Sequence, residues 1–202
     1  MNAEINIFYI FFKYYYVKIT RICEYIGMIK FNFTSLAVLG ALLFNVNPAA
    51  AAGKSGPQLI GEYKDWAAYY YNDPQGMICY IASTPKKDEG KYSSRGDIYA
   101  VVTHRPNEKS FDVVNFVAGY TYKPGAKVVV KIGNTTIDDL FTEGDKAWTV
   151  NETADKRLVD AMKKGQRMIV HGTSSKGTAT KDTYSLNGFL SAYKAINSKC
   201  KR

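Results

Sequence analysis

The sequence predicts a mainly β protein that finishes in one or two short helices. Three observations carry that expectation. Between Glu62 and Thr149 the chain is a series of short runs rich in aromatic and β-branched residues, interrupted by clusters of Gly, Pro, Asn and Asp. Helical spacing of apolar residues begins only near Thr153 and returns in 188–196. The 202 residues, 46% apolar and 22% charged, suffice for one packed domain, with a small second module at most, and exclude a fully disordered chain.

The aromatic run 62–70 ends at Asn72-Asp73-Pro74-Gln75-Gly76 and is followed by Met77-Ile78-Cys79-Tyr80-Ile81, which reads as two paired strands. Runs 97–103 and 111–120 flank Arg105-Pro106-Asn107-Glu108-Lys109, so a hairpin is the simplest connection. The run 127–132 breaks at Gly133-Asn134, and two short strands around Leu140-Phe141 and Ala147-Trp148-Thr149 flank the turn Glu143-Gly144-Asp145. A helix is expected over 153–164, capped by Asn151 or Thr153, with acid early, lysines late and Gly165 behind the last turn. Its stripe of Leu158, Ala161 and Met162 is core-facing. Strands at 167–171 and 183–186 follow, and a closing helix over 188–196 aligns Phe189, Tyr193 and Ile196. No repeat or linker is visible.

The first 52 residues differ in kind. Met28-Ile29-Lys30, an apolar centre from Phe33 to Val46, Asn47-Pro48 and Ala49 to Ala52 have the order of a secretory signal peptide. The apolar centre is shorter than the roughly 20 residues that span a bilayer, so cleavage is expected, with an uncleaved anchor as the alternative. Residues 1–27 are mostly Phe, Tyr, Ile, Asn and Lys, amino acids with A/T-rich codons, and read as a misassigned upstream extension with Met28 as the true start. The rival reading is an aromatic segment at a membrane interface. The expected organisation is therefore an extension at 1–27, a signal peptide at 28–52 and one domain at 53–202.

From residue 53 onward there are 23 basic and 16 acidic residues, a net charge of +7 within a whole-chain +9. That excess favours acidic partners. Removal of the signal also removes Cys23, leaving Cys79 and Cys200. In an oxidising compartment a disulfide is the default use of such a pair, the alternative being two separate buried thiols.

Few groups could carry catalysis. Two histidines and three cysteines make a zinc cluster hard to assemble. Gly172-Thr173-Ser174-Ser175-Lys176-Gly177-Thr178 has two glycines at phosphate-loop spacing, but Thr178 stands where that loop needs Lys, and a hairpin is expected instead. His171 with Ser174, Ser175 and Asp182 could be imagined as a nucleophile and its base, yet no nucleophile elbow surrounds either serine. His104 reads as a strand-end surface residue. Asp138 and Asp139 alternate in direction if extended and would not share a metal. Tyr63, Trp66 and Tyr69 to Tyr71 could stack bases, but alternate aromatics in a strand read better as core on one face and amphipathic surface on the other. Asn134 and Asn151 begin glycan acceptor triplets of low specificity. The expectation is no catalytic residue, no metal, no cofactor and no nucleic acid.

The run from Gly172 to Phe189 resembles the C-terminal signature of the invasion-associated locus B family of α-proteobacteria. The stretches Leu140 to Trp148 and Leu158 to Gly165, and the aromatic run before Cys79-Tyr80, are similar too, so the resemblance covers about residues 60–200. It implies an exported bacterial protein with an immunoglobulin-like β-sandwich, associated in some pathogenic members with invasion of host cells, particularly red blood cells. The family pattern brings no catalytic residues. Lys86 to Arg95 fits no family motif and reads as a variable loop. The expected function is non-enzymatic binding of an unknown protein or an anionic envelope or host surface, such as lipopolysaccharide or sialylated glycans. Membrane contact is expected to be peripheral once the signal is removed, with the protein periplasmic, outer-membrane-associated or secreted. The runner-up is a periplasmic envelope-maintenance or chaperone-like factor. A hydrolase using His171 stands third.

Overall fold

Antiparallel pairing of strands adjacent in the chain builds most of the architecture. The computed structural model describes residues 56–202. The extension at 1–27, the signal at 28–52 and Cys23 lie outside the described residues. In chain order the strands are β1 (Gln58–Tyr63), β2 (Trp66–Asp73), β3 (Gly76–Ser83), β4 (Lys87–Gly90), β5 (Tyr99–Arg105), β6 (Ser110–Val117), β7 (Val129–Ile132), β8 (Thr135–Ile137), β9 (Leu140–Glu143) and β10 (Lys146–Thr149). Helix α1 (Glu152–Lys164), β11 (Arg167–Thr173), β12 (Ala179–Ser185) and helix α2 (Phe189–Lys199) complete the set. A seven-stranded sheet runs β1-β2-β3-β5-β6-β10-β9 and a five-stranded sheet runs β4-β12-β11-β7-β8. The fold is a mainly β sandwich with two helices.

One hydrophobic cluster joins both sheets and both helices. It includes Trp66, Ile81 and Phe116 from the larger sheet, Val130, Met168 and Tyr184 from the smaller, and Leu158, Met162, Phe189 and Ile196 from the helices. Helix α2 lies on β1, β2 and β3, and α1 lies on β6 and β10. Trp66 ties the layers: its indole N–H donates to the Ser185 carbonyl at 3.0 Å, and Phe189 meets its ring edge-on at 4.9 Å.

Helix α1 starts where the sequence places its cap. The Asn151 side chain accepts the Ala154 N–H at 2.9 Å, and Glu152 and Asp155 sit in the first turn. Asp155 also docks the helix. Register between β6 and β10 ends at Asn115 and Trp148. Just beyond, fully buried Asp155 accepts the Val114 N–H at 2.8 Å and the Thr149 hydroxyl at 2.5 Å. A strand amide that loses its ladder partner is thus satisfied by the helix that covers it.

Three local expectations need correction. The run 62–70 is two strands, because Lys64 takes a left-handed conformation at φ 58° and reverses the chain between β1 and β2. No Gly, Pro or Asn marks that turn, and it is held from outside: the Asp65 N–H donates to the Asn187 carbonyl at 3.2 Å. Thr135–Ile137 is a strand beyond the Gly133-Asn134 turn. Lys86 to Arg95 is no free loop, since it contains β4, paired to β12 from Lys87↔Thr183 to Gly90↔Thr180. At the start of α2, Gly188 has φ 91° and a Cβ there would stand 1.8 Å from the Tyr63 carbonyl oxygen, so only glycine fits.

Candidate functional site

Strand alternation gives the five-stranded sheet two chemically opposite faces. In β11 the residues Met168, Val170 and Gly172 are buried, and in β12 Thr180, Asp182 and Tyr184 are buried. The intervening side chains point outward. Register places Lys87, Thr183, Ile169 and Lys131 in one row across β4, β12, β11 and β7, and Glu89, Lys181, His171 and Val129 in the next. Arg167 stands opposite Ser185 at the end of the face. Lys181 pairs with Glu89 at 3.0 Å. Lys87, Lys131 and Arg167 have no ion-pair partner among the described residues.

A groove of about 1110 Å³ opens along this face toward the end of α1. Its basic lining residues are Lys86, Lys87, Lys164, Arg167 and Lys181, against the acid Glu89. Lys86 is engaged by Asp65 at 2.5 Å. Half-buried His171 reports the local potential: burial, then Lys131 and Lys181, hold its imidazole below the ordinary histidine range. A bound anion would reverse the second effect. The surface can therefore hold phosphate, sulfate or carboxylate groups by charge-assisted hydrogen bonds.

The residues singled out from sequence are not brought together. His171 faces outward, whereas the neighbouring Asp182 faces the core and forms a two-pronged ion pair with Arg95, both oxygens at 2.6 Å. Arg95 and Asp182 side chains are 3% and 6% exposed. Arg95 Nε also donates to the Ala118 carbonyl at 2.6 Å, and its guanidinium lies 4.9 Å from the Tyr120 ring centre. Burial pushes the Asp182 carboxyl up and Arg95 opposes that push. Ser174 belongs to the β11–β12 hairpin turn, where its hydroxyl accepts the Thr178 N–H at 3.1 Å and its carbonyl accepts the Gly177 N–H at 2.8 Å. The glycine-rich run is a hairpin. Asp138 pairs with Lys127 at 3.4 Å on the surface.

His104 requires a correction: it is fully buried, not a surface residue. Helix α2 covers the end of β5, and strand sequence alone does not reveal what covers it. The Asp112 N–H donates to His104 Nδ1 at 3.1 Å, so the proton resides on Nε2, which donates to Asn197 Oδ1 at 2.8 Å. Burial holds this imidazole neutral by lowering its pKa. Beside it Asp112, at φ 61°, accepts from the Tyr193 hydroxyl at 2.8 Å and pairs with Arg202. Cys79, opposite His104 in the β3–β5 register, is disulfide-bonded to Cys200 with Cα atoms 6.2 Å apart. The bond pins the end of α2 to the centre of the seven-stranded sheet.

Sequence reasoning missed the basic face and Arg95. The face was recoverable from alternation, since Arg167, Ile169 and His171 share one side and Lys181 and Thr183 another strand's same side. Arg95 was not, because its partner is 87 residues away. Among the described residues no group of three or more His, Cys, Asp or Glu could hold a metal, and no helix is long and apolar enough to cross a membrane.

Comparison with known proteins gives one sequence family and a distant structural likeness. The sequence profile of the family described as "Invasion associated locus B (IalB) protein" matches residues 66–197. No curated protein matches the chain. The crystal structure of invasion associated protein b from Bartonella henselae is similar at 17% sequence identity and a TM-score of 0.49, covering 70% of this chain and 96% of that one. The profile spans well over half of the chain, from Trp66 into helix α2, and the chain belongs to the invasion associated locus B family.

Proposed function

We propose that this family member is an exported, non-enzymatic binding protein that engages an anionic surface with the outward face of its five-stranded sheet. The observation that carries the reading is the basic array of Lys87, Lys131, Lys181 and Arg167 around His171 and the groove beside it. Export follows from the signal read at 28–52, with the mature domain beginning near residue 53, and the bridge between Cys79 and Cys200 suits an oxidising compartment. The partners of matching chemistry are lipopolysaccharide phosphates, sialylated host glycans or an acidic protein. A contribution to host-cell invasion, erythrocytes included, follows if the surface is a host one.

Vesicle cosedimentation tests the binding. Vesicles containing phosphatidylglycerol should retain the protein at low salt, and vesicles of phosphatidylcholine should not. Retention should fall steeply once the Debye length shrinks to about 3 Å near 1 M salt. Equal retention on both lipids, or retention indifferent to salt, contradicts the reading. N-terminal sequencing of the protein recovered from cells tests export separately: a start near residue 53 supports it, and an intact Met1 or Met28 contradicts it.

A further inference from the structure

Once its internal ion pairs are set aside, the groove on the five-stranded sheet has a definite charge pattern. Lys181 is held by Glu89 at 3.0 Å and Lys86 by Asp65 at 2.5 Å. Three lining cations have no ion-pair partner among the described residues: Lys87 on β4, Lys164 in the last turn of α1 and Arg167 at the start of β11. They stand at two ends. Lys87 is opposite Thr183, Thr183 is opposite Ile169, and Arg167 lies two residues before Ile169 on the same outward side. Lys87 and Arg167 are therefore two strands and two residues apart, about 12 Å at the backbone. Side chains stand roughly perpendicular to a sheet, so the separation carries to the charged groups. Lys164, three residues ahead of Arg167 and lining the same groove, adds its charge at the Arg167 end.

The floor between the two ends is uncharged. Thr183 and Ile169, both half-buried, set a hydroxyl beside an aliphatic surface. A sugar ring offers the complement, with hydroxyl groups at its edge and C–H groups on its face. One small anion does not meet both ends, whereas two anions held apart by a hydroxylated body do. Charge selects phosphate over carboxylate. A phosphate monoester carries about −1.5 to −2 at neutral pH and so matches the paired cations Lys164 and Arg167, where a carboxylate would leave one of them unneutralised.

We propose that the ligand of this groove is a bisphosphorylated disaccharide, the headgroup of a phosphorylated glycolipid, with one phosphate at Lys164 and Arg167, the other at Lys87, and its rings over Ile169 and Thr183. The proposal rests on the anionic-surface reading and narrows it, setting aside an acidic protein and a sialylated glycan. Joining the two phosphates makes the second contact intramolecular, so the affinity exceeds that of either phosphate alone.

Titration calorimetry on protein purified from cells that make the full chain tests it with four probes. They are glucosamine disaccharide 1,4′-bisphosphate, the corresponding 4′-monophosphate, pyrophosphate, whose two phosphates are adjacent, and digalacturonate, which carries two carboxylates on two rings. The bisphosphate should bind more than about tenfold tighter than any of the other three. Lys87→Ser and Arg167→Ser, both exposed positions, should each reduce its affinity to that of the monophosphate, with the thermal unfolding temperature confirming the fold. Lys156→Ser, on the exposed side of α1 and outside the groove, should leave it unchanged. Pyrophosphate binding as tightly as the bisphosphate would show that charge alone matters, and would overturn the proposal while leaving the anionic-surface reading standing. Digalacturonate binding as tightly would overturn the choice of phosphate. Binding of none of the four overturns the proposal and the reading together.

Discussion

The two outward faces are built by the same antiparallel pairing and differ in what alternation puts on them. The five-stranded sheet turns Lys87, Lys131, Lys181, Arg167 and His171 outward, and the seven-stranded sheet turns out Tyr69, Tyr71, Tyr80, Phe141 and Val101. They also rest on different fastenings. Beneath the basic face lies the Arg95–Asp182 ion pair, and beneath the aromatic face lie the Cys79–Cys200 bond and neutral His104. One sandwich thus carries a basic face, whose affinity for anions salt should weaken, and an aromatic one, each over a separately breakable support.

The largest expected effect comes from removing half of the buried ion pair. Asp182→Ala leaves the Arg95 guanidinium buried without its carboxylate and should cost about 3–5 kcal/mol in chemical denaturation. Hydrogen exchange should rise first in β4 and β12, under the basic face. A loss below about 1 kcal/mol would place the pair in the class of exposed salt bridges and break the contrast. Replacing Cys79 and Cys200 together by serine acts under the other face. It should cost about 2–5 kcal/mol, with exchange rising in α2 and β3 rather than in β4.

Acid should act at the same place as the disulfide. Because burial lowers the His104 pKa below its ordinary 6.5, the unfolded chain binds more protons than the folded one just under that value. The stabilisation is complete above about pH 6.5 and is lost as pH falls toward the depressed folded value. The urea midpoint should therefore drop between about pH 7 and pH 5, and His104→Gln should flatten that dependence. His171, also lowered, adds a smaller slope of the same sign. A midpoint flat across this range would mean His104 is not held neutral. The smallest effect belongs to a pair in neither support: Lys156→Ala, which removes the 2.7 Å contact with Asp160 on the exposed side of α1, should cost under about 0.5 kcal/mol.

Legibility in the sequence followed the range of the interaction. Helix α1 was readable because its cap, acidic start, apolar stripe and terminal Gly165 all lie within the one stretch 151–165. The β5–β6 hairpin and the turn at Glu143-Gly144-Asp145 were readable for the same reason. The β1–β2 turn was not, since Lys64 gives no local signal and its geometry is held by Asn187 far along the chain. Nor was β4, a charged edge strand that takes its register from β12, nor Arg95, whose role exists only once Asp182 is folded beneath it. His104 was misplaced on the surface because burial at a strand end depends on the helix that covers it. The basic face was readable in principle from period-two spacing, but its charges come from separated strands and converge only through register.

The most direct test of the binding reading is the proton titration of His171, followed by NMR in the free protein and with a soluble short-chain phosphatidylglycerol. The free imidazole should titrate below the ordinary histidine value, because burial and then Lys131 and Lys181 oppose its charge, and should shift upward when the lipid phosphates are bound. Saturable lipid binding that leaves the His171 titration unmoved would place the anion elsewhere and contradict the account.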